Sequence, residues 1–144
     1  MKILVLNGPN MNMLGIRQPE IYGRTSYADL VEMIRAEAEK LGVEADFFQS
    51  NHEGALVDAI HQAYFNQVDG IIINPAAYTH TSVALLDAVK AVGIPTVEVH
   101  VSDPDSREEF RHISYIRSAC VKTISGHGLP GYLEALRYLA QSLC

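Results

Sequence analysis

Apolar residues along this chain keep two rhythms. In five places they run together or alternate over strand length, at residues 2–6, 43–48, 71–73, 96–101 and 119–124. Elsewhere they recur three and four positions apart, the spacing that puts side chains on one face of a helix. The first such stretch can be capped by Thr25 or Ser26, carries Leu30, Ile34, Ala38 and Leu41, and stops at Gly42. A second follows Gly54 with Leu56, Ile60 and Ala63 inward. A third, capped within 79–82, has Val83, Leu86, Val89 and Lys90 at helical spacing and ends at Gly93-Ile94-Pro95. The last starts near Pro130 and takes its stripe from Leu133, Leu136, Tyr138 and Ala140. Residues 13–24 and 102–114 hold neither rhythm, apart from a short helix expected around 108–112.

Strands alternating with helices, on connections long enough for right-handed crossovers, predict an α/β chain with a parallel sheet covered on both faces. Residues 1–144 are about one domain's length and are read as a single catalytic domain. For a doubly wound five-stranded parallel sheet the expected order is the flavodoxin-like 2-1-3-4-5, with its switch point between strands one and three. Ligands of such sheets bind beyond the carboxyl ends of the strands. The third strand, Ile71-Ile72-Ile73, breaks there into Asn74-Pro75-Ala76-Ala77-Tyr78-Thr79-His80. Opposite it, strand one leaves through Asn7-Gly8-Pro9-Asn10 into a loop reaching residue 24, a length that in a compact domain marks a lid or binding loop.

Composition narrows the partners. The chain is 48% hydrophobic and 19% charged, with a formal net charge of −6 and a pI near 5.4, which works against a nucleic-acid partner. The opening apolar run is too short for a signal-peptide core or a membrane span of about 20 residues, so a cytoplasmic protein with no membrane partner is expected. Cys120 and Cys144 show no metal spacing and no evident pair, and His52, His61, His112 and His127 lack carboxylate or Cys company at ligand spacing, so no metal is assigned. Neither a P-loop nor a dinucleotide fingerprint follows strand one. Lys2, Lys40, Lys90 and Lys122 all fall away from the carboxyl edge, which leaves no Schiff-base nucleophile there.

Several residues in this frame bear chemistry. Arg17 and Tyr22 share the long loop; a guanidinium can lower a phenol's pKa by about 1 to 3 units, which would suit proton abstraction. The alternative is a Tyr packed on the core beside a solvated Arg. Alternation along strand four sends Val97, Val99 and Val101 to one face and Glu98 with His100 to the other, so a buried carboxylate can orient an imidazole as a general acid, or the two can be a satisfied structural pair. Asn74 and His80 can bind hydroxyls or polarise a carbonyl. His80 and Asp87, seven apart, are placed on one face of the third helix, with a cap and a solvated carboxylate as the plainer assignment. Arg107 and Arg111 can hold a polar or anionic ligand or remain solvated.

Taken together, these segments resemble the type II 3-dehydroquinate dehydratases. The resemblance spans nearly the whole chain and is carried by Asn7-Gly8-Pro9-Asn10, Leu14-Gly15, Glu20-Ile21-Tyr22-Gly23, Gln49-Ser50-Asn51-His52-Glu53-Gly54, residues 74–82, Val97-Glu98-Val99-His100 and Arg107-Glu108-Glu109-Phe110-Arg111-His112. It implies anti elimination of water from 3-dehydroquinate through an enolate, giving 3-dehydroshikimate, with no cofactor. In that scheme Tyr22, assisted by Arg17, takes the proton beside the ketone. His100, oriented by Glu98, protonates the leaving hydroxyl, and Asn12 holds a water that stabilises the enolate. Asn74, His80 and Arg111 would bind ring hydroxyls, and the N–H groups of Val101 and Ser102 the carboxylate. The resemblance further implies a homododecamer of trimers in which Asp87 reaches a neighbouring subunit's site.

The chain departs from the family pattern at Gln18, where Glu is common, and at Ser102-Asp103-Pro104-Asp105-Ser106-Arg107. Asp103 would add a carboxylate beside the presumed carboxylate pocket and weaken binding by like-charge repulsion. A non-catalytic or differently specific relative on the same scaffold is the alternative that this change suggests. A flavin carrier or a phospho-accepting receiver fits less well. The first wants a Ser/Thr-rich turn after strand one, and the second an Asp where Asn74 stands.

Overall fold

The computed structural model describes residues 1–16, 20 and 24–144. Five strands, β1 (Lys2–Asn7), β2 (Glu44–Gln49), β3 (Gly70–Asn74), β4 (Thr96–His100) and β5 (Lys122–Ser125), form one sheet in the order β2-β1-β3-β4-β5. Every pairing is parallel. This is the flavodoxin-like α/β arrangement that the alternation of strands and helices predicts.

Helices described in full are α1 (Tyr27–Leu41), α2 (Glu53–Phe65), α3 (Val83–Val92) and α4 (Pro130–Ser142). A capping box starts α1: Ser26 Oγ accepts from the Asp29 N–H at 3.1 Å, and the Asp29 carboxylate accepts from the Ser26 N–H at 3.2 Å. Ser82 Oγ caps α3 through the Leu85 N–H at 2.9 Å. Alternate strand residues then face two separate cores. Ile3, Val5, Ile72, Val97, Val99 and Ile124 pack under α1 and α4, whereas Leu4, Leu6, Ile71 and Ile73 pack under α2 and α3. Among the described residues no helix is long and apolar enough to cross a membrane.

Four details differ from the sequence pattern. Residues 119–121 are not strand, because the chain makes a 3-10 turn at Arg117–Ala119 and rejoins the sheet when the Val121 N–H donates to the Thr96 carbonyl at 2.8 Å. The inward face of α3 is Leu85, Ala88 and Val89, with Val83 49% exposed, since the helix meets the sheet one step round from the expected stripe. For the same reason α4 buries Tyr132, Ala135, Leu136 and Leu139 while Leu133 and Tyr138 pack at its margin. Finally, His80 does not share a helix with Asp87. It ends the 3-10 segment Ala76–His80, and Ser82 opens α3 only afterwards.

Candidate active site

The carboxyl ends of β1, β3 and β4 converge on a cleft of about 170 Å³. Its floor is a tight meeting of two strand exits, where the Gly8 N–H donates to the Asn74 carbonyl at 2.8 Å. A Cβ on Gly8 would fall 2.3 Å from the Pro75 carbonyl oxygen, so only glycine fits. Beyond β3 the chain turns through Ala76 at a φ of 54°, and the Asn74 side-chain oxygen accepts from the Ala76 N–H at 3.1 Å. A non-glycine residue in the left-handed region costs free energy and persists where its surroundings impose it.

Asn74 is fixed from below. Its Nδ2 donates to the Tyr132 hydroxyl at 2.9 Å, and that hydroxyl in turn donates to Asn7 Oδ1. Asn7, Asn74 and Tyr132 are all buried, and Asn7 and Asn74 are register partners on adjacent strands. Tyr132 thus ties the ends of β1 and β3 to α4. Nothing in the apolar stripe of α4 distinguishes Tyr132 as a polar bridge; it is found only once the helix phase is known.

His100 and Glu98 lie on one face of β4, as alternation requires. His100 Nε2 is 2.5 Å from Glu98 Oε2. Glu98 is fully buried and also accepts from Ser114 Oγ, Arg117 Nε and Thr123 Oγ1, at 2.5, 3.1 and 2.9 Å. Burial pushes its carboxyl up, but the hydrogen bond and charge of His100, with the bonds from Ser114 and Arg117, outweigh this and hold it at about 2. Glu98 is therefore ionised and accepts only, so His100 Nε2 carries a hydrogen. Nδ1, the other ring nitrogen, makes no hydrogen bond among the described residues, and His100 lines the cleft.

Facing it, His80 places Nδ1 2.7 Å from the Ile113 carbonyl. Burial pushes its pKa down, the Ile113 bond opposes this, and the charges of His100, Arg111 and Arg107 push it down further. Arg107 and Arg111 reach the cleft from the connection between β4 and β5, where Arg111 Nε also donates to Glu108 at 2.6 Å. Val101 and Ser102 form the remaining wall, and no turn or loop bond among the described residues uses their N–H groups. The cleft can therefore take a small, polyhydroxylated anion, since it is lined by side-chain amides, two imidazoles and two guanidiniums.

Over residues 1–140 the sequence matches the family described as dehydroquinase class II. The chain belongs to that family. It is 57% identical over 142 residues to the 3-dehydroquinate dehydratase of Caldicellulosiruptor bescii, covering 99% of this chain and 98% of that one. Against the enzyme of the same name from Corynebacterium glutamicum it is 58% identical over 139 residues, with 96% and 95% covered. The crystal structure of a type II dehydroquinase from Butyrivibrio crossotus superposes with a TM-score of 0.95 at 52% identity, over 96% of this chain and 97% of that one.

Of the candidate site residues marked out by the sequence, Asn74, His80, His100, Val101, Ser102 and Arg111 line one cleft, with Glu98 bonded to His100. Arg17 and Tyr22 lie outside the described residues. Asn12 is exposed and outside the cleft wall, its Oδ1 accepting from Gln49 Nε2 at 3.4 Å. Asp87 is exposed on α3, likewise outside the cleft of its own chain. Asp103 turns back on its own loop: Oδ1 accepts from the Asp105 N–H at 3.0 Å and the residue is absent from the cleft lining. Its carboxylate is thus engaged by its own loop, between two residues, Ser102 and Pro104, that do line the cleft. Sequence reading missed Ser114, Arg117 and Thr123 behind Glu98. Only Thr123 had a signal, because it is the register partner of Glu98 on β5.

Proposed function

We propose that this chain, acting over residues 1–144 as one catalytic domain, dehydrates 3-dehydroquinate to 3-dehydroshikimate in the shikimate route. The observation that carries the reading is the buried Glu98 holding His100 at the wall of a polar cleft, in a chain more than half identical to enzymes named for this reaction. The ketone acidifies the adjacent C–H bond, and an enolate forms as Tyr22, paired with Arg17, removes that proton. The enolate then re-forms the ketone with a new carbon–carbon double bond as the β-hydroxyl leaves, taking its proton from His100. One proton and one hydroxide depart from opposite faces, so the sum is a molecule of water. No electrons are transferred, and the scheme calls on no cofactor.

Asn74, His80 and Arg111 bind the ring hydroxyls in this reading, and the Val101 and Ser102 N–H groups take the carboxylate. Asn12 holds a water against the enolate oxygen. Asp87, exposed on α3, serves a neighbouring subunit's cleft in a dodecamer of trimers, an arrangement that gives an acidic residue on an outer helix face a use. A metabolite substrate and the absence of a membrane-crossing helix among the described residues fit a cytoplasmic location.

Ultraviolet absorbance tests the reading, because the product is a conjugated enone and the substrate is not. Adding 3-dehydroquinate to the purified protein should give a sustained rise, unaffected by borohydride treatment in the presence of substrate. In His100→Ala the rate should fall by about 10²- to 10⁴-fold, the usual share of a general acid. A flat trace at high protein concentration would overturn the assignment.

A further inference from the structure

The four donors on Glu98 are divided by oxygen. Oε2 receives His100 and Ser114, and Oε1 receives Arg117 and Thr123. A carboxylate engaged on both oxygens cannot turn about its last bond without breaking charge-assisted hydrogen bonds in a buried site, so the plane in which it meets the imidazole is fixed. Thr123 is delivered by the sheet, opposite Glu98 on β5. Ser114 and Arg117 are delivered differently: they come from the connection between β4 and β5 that also carries Arg107 and Arg111 into the cleft.

We propose that Ser114 and Arg117 are positioning residues that hold Glu98, and through it the His100 ring, in the orientation that presents Nδ1 to the cleft. Because they share a segment with Arg107 and Arg111, a ligand that engages those guanidiniums pulls on the same stretch of chain that aims the acid. The inference deepens the proposed elimination and rests on it for its kinetic consequence alone.

The surroundings leave these two residues as the adjustable part of the arrangement. Across the cleft, His80, Arg107 and Arg111 are, among the described residues, the charged or titratable groups facing His100. Beside Glu98 stand Arg117 and the Cys120 thiol, which burial and the Glu98 charge push up to about 12, so it stays uncharged there. Lys122 on β5 is exposed and lies over the Tyr138 ring of α4, at the margin of the core on the opposite face. Arg117 itself is 45% exposed, so changing it alters one hydrogen bond and one charge with little loss of packing.

The test compares Ser114→Ala and Arg117→Gln with the conservative Ser114→Thr and Arg117→Lys in the full-length protein. Nitrogen-15 NMR of the His100 ring, recorded without ligand, reads tautomer and titration with no turnover needed. In the first two variants the Nε2–H signal should shift and the share of Nε2–H tautomer should fall. With 3-dehydroquinate, kcat should drop about 10-fold, KM should stay within about twofold, and the alkaline limb of the kcat profile, where the acid loses its proton, should move; these figures are a fraction of the usual general-acid effect. The conservative pair should restore most of both readouts. Unchanged ring signals in Ser114→Ala and Arg117→Gln would overturn the positioning role. Shifted signals with unaltered kcat and pH profile would overturn its link to the reaction. Shifted signals in a protein with no turnover in any form would support the positioning role while removing the elimination reading.

Discussion

His80 turns Nδ1 onto the main-chain carbonyl of Ile113, 2.7 Å away. A carbonyl only accepts, so Nδ1 carries the hydrogen, and the neutral ring offers Nε2 as a lone pair for a hydroxyl. Its pKa lies below the ordinary 6.5, by burial first, with the cationic neighbours adding to it against the Ile113 bond. The sign of the linkage follows: the unfolded chain binds this proton first, so the stability that the group contributes is complete above 6.5 and is lost as pH falls toward the folded value. In His80→Asn the urea-unfolding free energy should decline less between pH 7 and 5 than in the unaltered protein. Equal slopes would show that the ring is not held neutral.

The Tyr132 hydroxyl stands between Asn7 and Asn74, all three buried. Tyr132→Phe keeps the ring's packing and leaves an amide N–H and an amide oxygen without that partner. Each such orphan costs about 1–3 kcal/mol, so unfolding in urea should show a loss in that range or somewhat above. Ligand affinity should fall too, since Asn74 loses the bond that aims it. A variant as stable as the parent would mean that water replaces the hydroxyl.

Gly8→Ala sets a methyl group 2.3 Å from the Pro75 carbonyl oxygen, which is main chain and has no side-chain freedom to yield. Overpacking against side chains costs about 1–3 kcal/mol, and here the loss should reach the top of that range or exceed it. Thermal unfolding would record it, and turnover should drop because the two strand exits that frame the cleft must part. A melting temperature within about a degree of the parent would contradict the close approach.

Glu98 is held at about 2 against an ordinary 4.5. Its folded pKa is depressed, so its stabilisation is present above 4.5 and disappears as pH falls toward 2. A shift of this size is worth on the order of 3 kcal/mol. Glu98→Gln should therefore be much less stable at pH 7, and the gap should close as both proteins are titrated below 4.5. An unfolding difference that is constant with pH would argue that the cost is one of shape rather than charge.

Legibility in the sequence followed the periodicity. Ile71-Ile72-Ile73 could be little other than a doubly buried strand, and once five such runs alternated with helices, a parallel sheet followed from crossover handedness, its order from the commonest arrangement of five doubly wound strands, and the crevice from that order. Glu98 and His100 were legible for the same reason, since a strand's two-residue period leaves no doubt that they share a face. What the pattern could not supply was phase. Val83 and Leu133 satisfy helical spacing as well as Leu85 and Tyr132 do, and only docking on the sheet selects between them, so Tyr132 and its bridge went unread. Residues 119–121 are apolar enough for strand, yet the 3-10 turn at Arg117–Ala119 runs into them and the strand starts only at Lys122. The turn of Asp103 onto its own loop was not legible either, because it depends on the Asp105 N–H coming within reach of its carboxylate.

The main-chain tie between Gly8 and Asn74 also limits where this scaffold can vary. With one strand exit bonded to the other and no room for even a methyl group between Gly8 and Pro75, the floor of the cleft has a set width. Any enlargement for a bulkier ring must come from the rim, where Ser102, Pro104 and Arg107 stand on a connection free of such backbone contact with β3. Libraries aimed at new substrates should therefore spare residues 7–8 and 74–76 and place their diversity at 102–107.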